Sequence, residues 1–96
     1  MPFYTIIADY EGGTYVSQHI AENPKDAVLQ WTVKEPFPIE KLKLKPTQFQ
    51  RLWEGFAEGD PAGLDGTVSV WCQCAILKKK FLLMNIVQTD LGNMNL

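Results

Sequence analysis

The stretch "WCQCAILKKKFLLMNIV", Trp71 to Val87, decides what this chain can build, because two apolar runs meet there across three lysines. Each run is rich in β-branched, aromatic and aliphatic residues, so the pair reads as a β-hairpin. Side chains alternate along a strand, which puts Cys72 and Cys74 on one face with Val68, Val70 and Ile76. The length of the loop then sets the register. With Lys78, Lys79 and Lys80 as a three-residue loop, Leu77 pairs with Phe81, Ile76 with Leu82, Cys74 with Met84 and Cys72 with Ile86. That gathers the strongest core candidates on one face. A two-residue loop would set Cys72 against Asn85 and would force positive φ on lysines, so the three-residue register is the expectation. Its other face carries Trp71 opposite Val87, Ala75 opposite Leu83 and Gln73 opposite Asn85.

Toward the N-terminus, Asp60 to Gly66, with Pro61 and the Asp65-Gly66 pair, has the composition of a loop, and strand-like sequence resumes at Thr67. The clearest helix precedes it. Thr47 and Gln50 suit a capping box, Phe49, Leu52, Trp53 and Phe56 recur at helical spacing, and Gly59 stands where a helix ends. Another helix is expected to start with Asn23 as N-cap, Pro24 at the first helical position and Asp26 near the positive dipole end. Ala27, Val28 and Trp31 form its apolar stripe, and Pro36 and Pro38 stop it. Trp31 and Trp53, each on an apolar stripe, are expected to anchor the core. The alternating "KLKLK" of 41 to 45 suits either a short edge strand, whose lysines deter pairing with other chains, or an extended linker.

Phe3 to Tyr10 and Thr14 to Ala21 flank Glu11-Gly12-Gly13 and form another hairpin. A two-residue turn at Gly12-Gly13 would use glycine's freedom at positive φ, setting Tyr10 opposite Tyr15 and Ile6 opposite His19. A phosphate cradle would need a helix N-terminus or a Lys-Ser/Thr pair after the glycines, and a strand follows instead. The expected fold is therefore α+β: a four-stranded, mainly antiparallel sheet from two β-hairpins with two helices inserted between them, in the order β-β-α-(β)-α-β-β. The bracketed strand is the lysine-leucine alternation. Residues 1 to 96 make a single domain, with Leu91 to Leu96 as a loose tail.

Composition narrows the function classes. The net charge of −2 gives no long-range pull toward nucleic acid, although Lys41, Lys43, Lys45 and Arg51 form a basic stretch followed by acidic Glu54, Glu58, Asp60 and Asp65. The N-terminal run lacks a basic leader and is broken by Asp9, so neither a signal peptide nor a membrane span is expected. Two cysteines make no disulfide framework, which fits a cytoplasmic chain. Cys72 and Cys74 are expected to be buried thiols rather than metal ligands, since one histidine cannot complete a closed site with them. No cofactor, metal or catalytic motif is present, and the expectation is a non-enzyme.

Three function classes follow in order. The first is a protein-interaction domain, self-associating as a homodimer or binding a protein partner such as a toxin, through Trp71, Leu77, Phe81, Leu83 and Val87. The second is a nucleic-acid or anion-binding module using Lys41, Lys43, Lys45, Lys78, Lys79 and Lys80. The third is a small enzyme using His19, whose same-face neighbours are Ser17, Ala21 and Ile6 and include no carboxylate. The segments "YTIIADYEGGTYVSQ" and "NPKDAVLQW" resemble HicB-like antitoxin domains over about residues 3 to 33. The strand and proline-glycine segment that such domains place between hairpin and helix are missing here, so the resemblance implies no residue roles.

Overall fold

The computed structural model describes residues 2–34, 42–66 and 69–89. Pro36, Pro38, Lys41, Thr67, Val68 and the expected tail at 91–96 lie outside the described residues. Strand β1 (Phe3–Tyr10) and strand β2 (Gly13–Ile20) come first, followed by helix α1 (Pro24–Lys34) and helix α2 (Pro46–Glu58). A two-residue strand β3 (Ala62–Gly63), strand β4 (Val70–Leu77) and strand β5 (Lys80–Thr89) complete the order. The strands form one five-stranded antiparallel sheet in the order β2-β1-β5-β4-β3, rather than four strands. The extra strand lies in the expected loop after α2 and not between the helices. Residues 42 to 45 form no strand, and Lys43 has a φ of 52°, which breaks an extended run.

The α+β class holds, but both hairpin registers differ from expectation. In the N-terminal hairpin the loop is Glu11-Gly12, at φ 50° and 82°, so Tyr10 pairs with Gly13, Ile6 with Ser17, and His19 with Tyr4. This shift keeps every side chain on its expected face. In the C-terminal hairpin the loop is Lys78-Lys79, at φ 50° and 65°, so Leu77 pairs with Lys80 and Cys72 with Asn85. Here the change of one residue turns the whole of β4 over.

Burial explains why β4 turns over. The inner face of β5 is fixed by its pairing with β1, which sets Leu82, Met84 and Ile86 beside Tyr10, Ala8 and Ile6, all buried. The observed register brings Trp71, Gln73, Ala75 and Leu77 onto that face. Trp71 meets Tyr4 edge-on at 6.1 Å, Leu77 is buried, and the Tyr10 hydroxyl donates to the Leu77 carbonyl at 2.8 Å. Burying a leucine and most of a tryptophan stabilises by several kcal/mol, roughly 1.5–3 for a side chain of leucine size. Two lysines in the left-handed region cost about 1–2 kcal/mol each, so burial wins. Asn85 opposite Cys72 wastes no amide, because both leave the core together.

Helices α1 and α2 cover the inner face. Asn23 Oδ1 accepts the Asp26 N–H at 2.7 Å, the expected cap, and Ala27, Val28 and Trp31 are buried against β1, β2 and β5. Helix α2 starts two residues earlier than expected: Lys45 is the N-cap, Pro46 opens the helix, and Gln48 Oε1 accepts the Lys45 N–H at 2.9 Å. The box with Thr47 and Gln50 is thereby displaced. Leu52 and Phe56 are buried, while Trp53 is 39% exposed and is no core anchor, since α2 packs mainly against α1 and β4 along a narrow stripe. Gly59 closes the helix as expected, its N–H donating to the Gly55 carbonyl at 3.0 Å, but at negative φ.

Candidate functional site

Among the described residues no element covers the outer face of the sheet. Odd residues of β1 and β5 and even residues of β2 and β4 point there, and the register orders them in rows. One row runs Val16, Ile7, Asn85, Cys72 and Ala62; the next runs Thr14, Asp9, Leu83 and Cys74, with Phe81 and Ile76 beyond it. Ile76 is 66% exposed, Val16 64%, Ile20 56% and Phe81 55%. Ile7, Leu83 and Val87 are half-buried by their neighbours on the sheet. Asp9 is the single charged residue among the described side chains of this face, and the Thr14 hydroxyl donates to it at 2.6 Å. Three of its polar side chains satisfy one another: Thr5 and Thr89 share a hydrogen bond of 2.8 Å, and Gln18 Nε2 donates to Thr5 at 3.2 Å.

The five expected contact residues are divided by the sheet. Phe81, Leu83 and Val87 lie on the uncovered face, whereas Trp71 and Leu77 lie on the helix-covered face, because β4 is turned over. The same inversion takes Cys72, Cys74 and Ile76 out of the core; Cys74 is exposed and Cys72 half-buried. Ile76, Val16 and Ile7 are members of this face that the three-residue register and the shorter hairpin view did not single out. The signal for Val16 and Ile7 was present in the alternation of β2 and β1, which needs no register to assign a face, whereas Ile76 turns with β4.

The lysines are partly brought together. Lys78 Nζ donates to the Leu42 carbonyl, which sets the hairpin tip beside the segment carrying Lys43 and Lys45. Lys80 is instead paired with Glu11, and that carboxylate, by hydrogen bond and charge, holds the Lys80 ammonium above its ordinary pKa. His19 is buried, and its Nε2 lies 3.0 Å from the Ser17 hydroxyl, a closer contact than expected for two residues on one strand. The shallow depression at Phe3, Gln18, His19, Ile20, Gln30 and Lys34 is bordered by His19 but not by Ser17, so a molecule there would not meet the hydroxyl. Among the described residues no group of three His, Cys, Asp or Glu side chains could hold a metal ion, and no helix is long and apolar enough to cross a membrane.

Comparison with protein-family models, with curated proteins and with solved structures finds no match. The likeness of the first third to antitoxin domains therefore carries no argument for a toxin partner.

Proposed function

We propose that this chain is a non-enzymatic protein-interaction domain that self-associates through the uncovered face of its sheet. The carrying observation is that face itself: apolar side chains more than half exposed, in a chain of which 21% of residues are charged, with Asp9 alone contributing charge there among the described residues. Patches of this kind on globular chains mark contacts. A second copy is favoured over an unrelated partner because two such faces stacked about 10 Å apart would oppose almost no like charges. The contact residues in this reading are Ile7, Val16, Ile76, Phe81, Leu83 and Val87.

Sedimentation at micromolar concentration tests it. The wild type is expected to sediment as a dimer, and Phe81→Asp or Ile76→Asp as a monomer of unchanged circular dichroism. A wild-type monomer across that range overturns the reading. A second reading, anion or nucleic-acid binding, draws on the Lys78 contact that joins the two lysine segments. Its signature is different: binding of a short single-stranded RNA that weakens steeply with salt and is lost when Lys43, Lys45 and Lys79 are changed to Ala.

A further inference from the structure

Strand β4 is paired with β5 along its length, but among the described residues its other edge is covered only at Val70 to Cys72, by β3 and by the Leu64 N–H. The phase of its backbone groups follows from two bonds. Gln88 N–H donates to Ser69, so odd residues turn toward β5, and Leu64 N–H donates to Val70, so even residues turn away. Cys74 and Ile76 therefore present their N–H and C=O groups to an edge that no described strand occupies.

That edge borders a groove of ≈ 460 Å³ between β4 and α2. Leu52 and Phe56 make an apolar floor, and Arg51 and Gly55 form the helix side. Two further features point to an occupant. Arg51 and Lys78 are the ionisable residues of the lining apart from Cys74, both cationic in a chain of net charge −2. Gly55 sits inside a helix, where glycine costs about 1 kcal/mol relative to alanine, and a Cβ there would meet nothing within 4 Å. Packing does not require that glycine, and the space beside it is open.

We propose that this groove binds an extended acidic peptide segment of another protein, added to the free edge of β4 as a further strand. The segment's main chain would pair with Cys74 and Ile76, its apolar side chains would meet Leu52 and Phe56, and its carboxylate would face Arg51. The site uses the main chain of Ile76 rather than the side chain that Ile76 presents to the outer face, and does not depend on self-association there.

Fluorescence anisotropy on the full chain, with a labelled octapeptide of alternating Val and Glu, tests the proposal. Controls are the Val-Lys octapeptide and a Val-Glu octapeptide interrupted by a central proline, which cannot complete a strand. The Val-Glu peptide is expected to bind at least about tenfold more tightly than either, and Arg51→Glu is expected to weaken it by about tenfold or more. Gly55→Phe should fill the groove and remove binding, whereas Gly55→Ala should raise Tm and leave binding intact. Amide exchange at Cys74 and Ile76 should slow on peptide addition. Equal binding of the acidic and basic peptides, indifference to Gly55→Phe, unchanged exchange at those two amides, or no binding at millimolar peptide each overturns it. Phe81→Asp should leave peptide binding unchanged, so failure of this groove and failure of the outer-face reading are told apart.

Discussion

The two hairpins close with the same turn from opposite chemistry. Glu11-Gly12 and Lys78-Lys79 are both two-residue loops with positive φ at each central residue, the sign a type I′ turn needs to match strand twist. One contains a glycine, for which such angles are easy. The other places two lysines there, against their local preference. Local turn chemistry located the first turn within one residue and argued against the second. What overrode it in the second is tertiary: β5 is held between β1 and β4, and only one register of β4 sends Trp71 and Leu77 to the face where Tyr4, Tyr10 and the helices wait.

The sharpest way to break this comparison uses adjacent residues of β4. Leu77→Asp puts a charge into the core and is expected to cost at least about 3 kcal/mol, enough to threaten folding of so small a domain. Ile76→Asp, pointing to the uncovered face, is expected to stay within about 1 kcal/mol. Urea unfolding at low protein concentration, where self-association does not contribute, measures both. The reverse order would restore the three-residue loop.

That contrast also marks how far the sequence could be read. Element type was legible wherever a local signal repeated: the alternation of Phe3 to Tyr10, the Asn23-Pro24-Asp26 cap, and the Leu52 and Phe56 stripe all act within a few residues. The site was only half legible. Phe81, Leu83 and Val87 lie on a strand whose face is the same in either register, and so were placed on the open face. Trp71, Leu77, Cys72 and Cys74 depend on whether the loop has two or three residues, a choice settled by burial across the sheet rather than by the loop. The groove beside α2 was not legible at all. It depends on β3 beginning only at Ala62, and two residues of strand inside a proline-containing loop give no periodic signal.

A smaller effect sharpens the link between the hairpins. Tyr10→Phe removes the buried hydrogen bond to the Leu77 carbonyl and is expected to cost about 1–2 kcal/mol. The same hydroxyl gives the fold a pH limit. Burial, with the Glu11 carboxylate adding to it and Lys80 opposing it, raises the Tyr10 pKa; burial likewise raises that of Tyr4. An acid whose folded pKa is raised keeps its proton in the folded state while the unfolded chain loses it. Stability is therefore full below the unfolded value of about 10 and falls as pH climbs above it. Thermal unfolding followed from neutral to alkaline pH should show that decline, and Tyr10→Phe should make it shallower. An equal slope in both proteins would mean that Tyr10 ionises as freely folded as unfolded.

The smallest effects compare equivalent turn positions. Gly12 and Lys79 both occupy the second place of their loops, at φ 82° and 65°. Substitution should act with opposite sign. Gly12→Ala forces a side chain into the left-handed region, although nothing within 4 Å crowds it, and is expected to destabilise by about 1 kcal/mol. Lys79→Gly relieves the same strain and is expected to stabilise by up to about 1 kcal/mol, reduced by the extra freedom glycine gives the unfolded chain. Gly13 supplies the control. Its φ is not positive, and a Cβ there would approach the Tyr15 hydroxyl at 2.8 Å, the far end of a partly exposed side chain that can swing away. Gly13→Ala should therefore cost less than Gly12→Ala in the same urea titration. If Gly13→Ala were the more damaging, the turn would lie at Gly12-Gly13, Tyr10 would face Tyr15, and the two hairpins would no longer share a loop geometry.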